Sequence, residues 1–280
     1  MKLHTVHTGN FKLDGGAMFG VVPKSIWHKL NPADDNNLCS WAMRSLLIED
    51  GNRLILVDNG IGDKQDAKFL GHYHLHGNHS LDGSLQQLGL HRDDITDVFL
   101  THLHFDHCGG SIVRQGDQLV PAFRNAHYWS NLRHWDWATR PNEREKASFL
   151  KENILPIEAS GQLKFIEPLD GITFGHPDIT IRFVNGHTDA MMLPQINYKG
   201  RTILYMADLL PSIGHIPLPY VMAYDMFPLT TLQEKKTYLT EAVNNDYVLF
   251  FEHDPVHECC TLQQTEKGIR HKETFKLSEL

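Results

Sequence analysis

Short apolar runs that stop at a charged or imidazole side chain recur along this chain. Segment 39–49, with Trp41-Ala42-Met43 and Leu46-Leu47-Ile48, predicts a strand. Gly51-Asn52 then predicts a hairpin turn into a second strand, Arg53-Leu54-Ile55-Leu56-Val57, which ends at Asp58. Val98-Phe99-Leu100 predicts a short buried strand, and Gly109-Gly110 a turn soon after it. The second half repeats this layout. Residues 179–184 alternate as a half-buried strand does and run into Asn185-Gly186-His187-Thr188. Segment 201–207 is another strand, ending at Asp208, and 247–251 a third, ending at Glu252-His253-Asp254-Pro255. Side chains capable of chemistry therefore stand where strands end.

The remaining segments read differently. Residues 80–88 predict a short helix closed by Gly89, before a turn at 93–97. Thr231 followed by Glu234 predicts a capping box opening a helix to about Ala242, with Leu232, Leu239 and Val243 on its buried stripe. From 125 to 161, Trp129, Leu132, Trp135, Trp137, Phe149 and Ile154 fall among charged residues at roughly helical spacing, which predicts a helical insertion broken at Pro141 and Pro156. Its tryptophans fit a core or an overhang above a site. Segment 11–27 is apolar and glycine-punctuated without a helical period, so turns are expected. Within it, Met18, Phe19 and Val21 are candidates for a core-lining loop or for the hydrophobic wall of a substrate pocket.

Composition narrows the class. A length of 280 residues admits one large domain or two small ones, and 41% hydrophobic with 21% charged residues is ordinary for a globular protein. The formal charge of −8 argues against a nucleic-acid partner. Residues 1–7 are too polar for a signal peptide, and no apolar run nears the roughly 20 residues of a membrane helix. A cytoplasmic location without a membrane partner is expected. Cysteines at 39, 108, 259 and 260 form no CxxC pair, which predicts free thiols.

Chemistry concentrates in Thr101-His102-Leu103-His104-Phe105-Asp106-His107-Cys108-Gly109-Gly110, where four potential metal ligands occupy six positions. Imidazole and carboxylate are the ligands that zinc and similar ions take. In an extended segment His102, His104 and Asp106 share one face, and a bend brings in His107. One loop can thus serve two ions, His102 and His104 on the first, Asp106 and His107 on the second. A lone histidine more often completes a hydrogen-bond network; the density of this cluster, framed by strand and glycines, favours metal. His187, Asp208 and His253, each at a strand end, are further candidates. Asp58 is either a turn residue or a carboxylate that orients a ligand histidine from behind. The histidine-rich run His72 to His79 has no carboxylate, cysteine or strand-end frame and reads as a mobile surface loop.

Together these residues resemble the metallo-β-lactamase superfamily, whose HxHxDH motif is matched by His102-Leu103-His104-Phe105-Asp106-His107 and whose later ligands fall in order at His187, Asp208 and His253. The resemblance spans nearly the whole chain and implies an α/β (α+β) fold, a four-layer αβ/βα sandwich forming a single domain over 1–280. It also implies two divalent metal ions, zinc foremost with iron or manganese as alternatives. His102, His104 and His187 would hold one, Asp106, His107 and His253 the other, with Asp208 bridging.

The bridging Asp208 separates the chain from the true β-lactamase branch, which typically lacks that carboxylate. Segments 13–27 and 100–110, with Met222-Ala223-Tyr224-Asp225 and Pro228-Leu229-Thr230-Thr231, resemble the quorum-quenching lactonase-like branch and its relatives that act on organophosphate or aryl esters. The implied function is a dinuclear metal-dependent hydrolase. A hydroxide held between the ions would attack a lactone or carboxylic ester of a small molecule, with Asp106 and Asp208 as catalytic carboxylates. Alternatives on the same fold are an organophosphate or aryl phosphoester hydrolase, then a phosphodiesterase or nuclease, or an iron-dependent oxidoreductase.

Two stretches depart from the branch. Asp189-Ala190-Met191 follows Gly186-His187-Thr188 where Pro-Gly-His is frequent, and Pro211 stands where acyl-homoserine lactonases carry a tyrosine. Tyr220 and Tyr224 are the candidates to replace it. Aromatic residues in 11–27 and 125–161 would serve a homodimer as readily as a ligand.

Overall fold

The computed structural model describes residues 1–280. They fall into two compact units, Met1–Asn10 with Met43–Pro168, and Phe11–Ala42 with Leu169–Leu280. Two long strands, β1 (Lys2–Asp14) and β2 (Leu38–Asp50), supply residues to both.

The first unit is built on β2, β3 (Arg53–Val57), β4 (Asp97–Phe99), a separate hairpin of β5 (Ile112–Gln115) and β6 (Gln118–Pro121), β7 (His127–Ser130) and β8 (Leu163–Phe165). The six-stranded sheet runs β1-β2-β3-β4-β7-β8. As the Gly51-Asn52 turn predicts, β2 and β3 pair antiparallel from Asp50↔Arg53 to Leu46↔Val57. From β3 onward neighbours are parallel, with Val57↔Phe99 and Phe99↔Trp129 in register. Parallel strands are covered on both faces and so read as unbroken apolar runs. Leu56, Val98, Tyr128 and Ile157 accordingly meet in one core. A parallel arrangement also puts every C-terminal end at one edge, and Asp58, Thr101 and Asn131 follow β3, β4 and β7 there.

Three expectations change here. Segment 125–161 is not helical throughout: β7 lies in the sheet between β4 and β8, and only then come helices Leu132–Thr139 and Lys151–Ala159. A four-residue strand is too short to display a period. Pro156 lies inside its helix rather than ending it; the buried Ile154 and Ile157 hold the segment against the one lost backbone bond. The run from His72 to His79 begins within helix Ala67–Tyr73, and residue 76 is tied to Asn10 by two backbone hydrogen bonds of 2.9 and 3.1 Å.

The second unit carries a seven-stranded sheet. Its members are β9 (Ile172–Thr173), β10 (Ile179–Val184), β11 (Met191–Tyr198), β12 (Arg201–Tyr205), β13 (Val248–Phe250), β14 (Cys259–Thr265) and β15 (Gly268–Phe275), adjacent in that order. All pairs are antiparallel except β12 with β13. The expected strands became β10, β12 and β13. Pattern alone does not reveal β11, whose Pro194 argues against an inner strand, or β15, an edge strand with no buried side chain.

Segment 11–27 contains two short helices, Gly15–Phe19 and Lys24–Trp27, the first capped by Asp14 Oδ1 accepting from Ala17 N. Helix Pro228–Asn244 starts earlier than predicted, with proline in its first turn. Thr231 and Glu234 therefore do not cap it. The buried stripe is Thr231, Lys235, Tyr238, Leu239 and Ala242, while Leu232 and Val243 are half-buried.

Candidate metal centre

In the first unit one carboxylate organises two candidate ligand histidines. Asp58 leaves β3 with φ of +55°, a left-handed conformation that costs a non-glycine residue of order 1 kcal/mol. Its Oδ1 accepts from Thr101 N at 2.8 Å, and its Oδ2 from Thr101 Oγ1 at 2.7 Å and His107 Nδ1 at 3.2 Å. Thr101 Oγ1 in turn accepts from His102 Nδ1 at 3.0 Å. His104 donates from Nε2 to Glu145 Oε1 at 3.0 Å, and Glu145 Oε2 accepts from Trp137 Nε1 at 2.6 Å. Between these two histidines, Leu103 N donates to His134 Nε2 at 2.9 Å. Helix Phe105–Cys108 supplies the bend that carries Asp106 and His107. Gly110 is required just beyond: a Cβ there would lie 2.3 Å from Asn59 O.

With the outward N–H groups committed, the other nitrogens turn inward. His102 Nε2 and His104 Nδ1 are 3.1 Å apart, and His107 Nε2 is 3.8 Å from Asp106 Oδ2. Two imidazole lone pairs facing each other at such a distance call for a proton or a cation between them.

The second unit repeats the scheme with the carboxylate at its centre. Asn185 N and Gly186 N donate to the Glu234 carboxylate at 2.7 and 3.0 Å, which places His187 directly after β10. His187 donates from Nδ1 to Asp225 Oδ1 at 2.9 Å, and its Nε2 is 3.1 Å from Asp208 Oδ2. His253 donates from Nδ1 to Ala42 O at 2.8 Å, and its Nε2 is 3.0 Å from Asp208 Oδ1. Asp208 follows β12 through Ala207, whose φ of +40° turns the carboxylate out of the strand direction. Although burial disfavours the imidazolium, Asp208 and Asp225 hold His187 up to about 10. A divalent cation would relieve the same negative charge. Imidazole nitrogens with fixed tautomers around acidic oxygens are the donor set a divalent ion takes, and the residues fit one.

The remaining predicted residues separate. Met18 and Phe19 are buried, Phe19 stacked on His215 at 4.6 Å and on Trp27 at 5.4 Å, whereas Val21 is 91% exposed. Val21 therefore does not share a buried wall with the other two. Tyr220 meets Phe19 edge-on at 6.3 Å, and Tyr224 is exposed. Pro211 contributes its carbonyl, which accepts from His253 N at 3.2 Å. His72, His74, His76 and His79 are exposed. Sequence reading missed Glu145, His134, Asp225 and Glu234 as partners. Those four act on residues far away in the chain, so no local spacing marks them; only Asp225 lay inside a stretch singled out for its resemblance.

A profile of the metallo-beta-lactamase superfamily matches residues 44–253. The chain belongs to that superfamily. No curated protein is similar enough to count as a relative of this superfamily member. Among solved structures it is similar to a probable metal-dependent hydrolase from Staphylococcus aureus, at 27% identity and a TM-score of 0.87, covering 98% of this chain and 96% of that one. It is similar also to AidC, a dizinc quorum-quenching lactonase in complex with a product, N-hexanoyl-L-homoserine (21% identity, 98% and 95% coverage, TM-score 0.79). A third similar structure is the hydrolase AbOPH of the beta lactamase superfamily (20% identity, 98% and 94% coverage, TM-score 0.77). The metallo-beta-lactamase fold expected from the motif is thus the fold of the chain. No helix in this superfamily member is long and apolar enough to cross a membrane.

Proposed function

We propose that this metal-dependent hydrolase opens a lactone or cleaves a carboxylic ester of a small molecule at a centre of two divalent ions, zinc foremost. His102, His104 and His187 would hold one ion, Asp106, His107 and His253 the other, and Asp208 both. The observation that carries the reading is Asp208 itself, whose two oxygens face different ligand histidines at 3.1 and 3.0 Å.

Bound there, the ions supply Lewis-acid polarisation of the scissile carbonyl and lower the pKa of water from 15.7 toward roughly 7. The protein's own side chains do the rest. Asp58, Glu145 and Asp225 keep His107, His104 and His187, and Thr101 Oγ1 and the Ala42 carbonyl keep His102 and His253, in the tautomer that turns a lone pair inward. Asp106 would take up the proton that the attacking water gives up and return it to the departing alkoxide oxygen. Tyr220, backed edge-on by the buried Phe19, forms apolar wall against the acyl or alkyl part of the substrate. Similarity to AidC over 98% of the chain supports a lactone. The excess of 34 acidic over 26 basic residues counts against a nuclease. Four free, buried cysteines support a cytoplasmic setting.

One observation favours a second reading. Pro211 stands where the lactonases carry a tyrosine that assists the substrate carbonyl, which removes one ground for preferring a lactone over a phosphotriester. A panel of acyl-homoserine lactones, aryl esters, phosphotriesters and bis-aryl phosphodiesters, offered to zinc-loaded protein, decides between them. Lactone or ester turnover is expected to lead. Preference for phosphotriesters transfers the case to the second reading, and no turnover of any class overturns both.

A further inference from the structure

Helix Pro228–Asn244 carries two adjacent residues of opposite charge with separate tasks. Glu234 accepts the backbone N–H groups just ahead of His187, where the helix comes so close that a Cβ on Gly186 would lie 2.3 Å from Thr231 N. Lys235, only 1% exposed, donates from Nζ to the carbonyls of Tyr220, Pro217 and Leu218 at 2.7, 3.2 and 3.3 Å. An ammonium has three donors and no acceptor, and here three backbone oxygens receive it.

Burying such a charge is unfavourable unless it is fully hydrogen-bonded. Burial draws this ammonium down to about 7, with Asp225 opposing. An unbranched apolar side chain of similar length would fill the space without that cost, so what lysine adds is its hold on segment 217–220. That segment lies between Asp208 and Asp225 in the chain. Farther along, Ala223 N donates to Ala17 O at 2.8 Å, so the loop is pinned at its other end to helix Gly15–Phe19. Asp208, His215, Tyr220, Asp225 and Lys235 border one small interior space.

We propose that Lys235 is a positioning residue that fixes the 217–220 backbone and thereby the place of Tyr220 against the substrate, while Glu234 beside it fixes the His187 turn. One helix thus sets substrate fit and ligand placement through two separable charges. The substrate half of this proposal rests on the hydrolase reading above; the hold on the loop does not.

The test uses full-length, zinc-loaded Lys235→Met, Lys235→Gln and Glu234→Ala proteins, with hydrogen exchange of peptides spanning 217–225, metal content and steady-state kinetics as readouts. Lys235→Met is expected to speed exchange in 217–225 by about 10-fold or more with full metal content. It should raise KM by roughly 5-fold or more with kcat within about 2-fold. Lys235→Gln, which keeps amide donors, should restore part of the protection. Glu234→Ala should instead lower zinc affinity and leave KM unchanged. A folded Lys235→Met protein whose 217–225 exchange matches wild type overturns the proposal, as does loss of kcat at unchanged KM. If Lys235→Met fails to fold, 15N-lysine spectra of the wild type decide: a slowly exchanging ammonium signal absent from Lys235→Gln supports the proposal, and its absence from the wild type overturns it. Should no substrate be turned over, the hydrolase reading fails while the exchange readout still judges the hold on the loop.

Discussion

Asp225 Oδ1 lies 2.9 Å from His187 Nδ1, on the side of the ring opposite the nitrogen that faces Asp208. The carboxylate fixes the ring's tautomer and raises the basicity of the inward nitrogen. Losing such a partner typically costs 10–100-fold in metal affinity. Asp225→Ala should therefore bind zinc about 10–100-fold more weakly while remaining folded, as competition with a chromogenic chelator would reveal. Unchanged affinity would mean that Asp225 does not act on the ligand.

Glu145 should behave differently, because it serves more than a ligand. Besides His104 it receives Trp137 Nε1 and Asn142 Nδ2. Glu145→Ala leaves the buried His104 donor unmatched, at about 1–3 kcal/mol, and the half-buried Trp137 donor at less, while the exposed Asn142 turns to water. Denaturant unfolding of the metal-free variant is expected to show that loss, whereas Asp225→Ala should weaken metal binding more than it weakens the metal-free fold.

Acid stability should depend on His215. Its Nε2 donates to Met18 O at 2.9 Å, so Nδ1 accepts from Ser212 Oγ at 2.8 Å and the ring is neutral. Burial draws its pKa from 6.5 down to about 3. Between those values the unfolded chain takes up a proton that the folded protein refuses. The stability present above pH 6.5 is therefore lost as pH falls toward 3, at up to about 1.4 kcal/mol per pH unit. His215→Phe should lack that component, so its stability relative to wild type should rise from pH 6.5 to 4.5 in urea titrations. Parallel pH curves for the two proteins would contradict this assignment.

Removal of metal gives a coarser check. Dialysis against a strong chelator should abolish hydrolysis and lower the thermal midpoint, since an ion that binds only the folded chain stabilises it by mass action. Zinc should restore both, and parallel reconstitution with iron and manganese would rank the three ions by recovered activity.

The sequence carried the candidate ligands further than it carried their supports. His102, His104, Asp106 and His107 are legible because ligand chemistry and spacing coincide within six positions, and His187, Asp208 and His253 because strands end at or just before them. Asp58 is legible as a carboxylate after a hairpin strand, but its reach to Thr101 and His107 is a matter of tertiary structure. Glu234 shows how local logic misleads: its spacing from Thr231 mimics a capping box, yet its carboxylate takes the Asn185 and Gly186 N–H groups. Likewise β7 hid among helical residues because four positions cannot show a period, and β11 because Pro194 sits in an inner strand.

Zinc counting after equilibrium dialysis, on wild type and Asp208→Ala side by side, bears most directly on whether one carboxylate joins two ions. Two zinc ions per wild-type chain are predicted, with fewer than two and no hydrolysis in the variant. Two ions retained by Asp208→Ala, together with undiminished hydrolysis, would contradict the account.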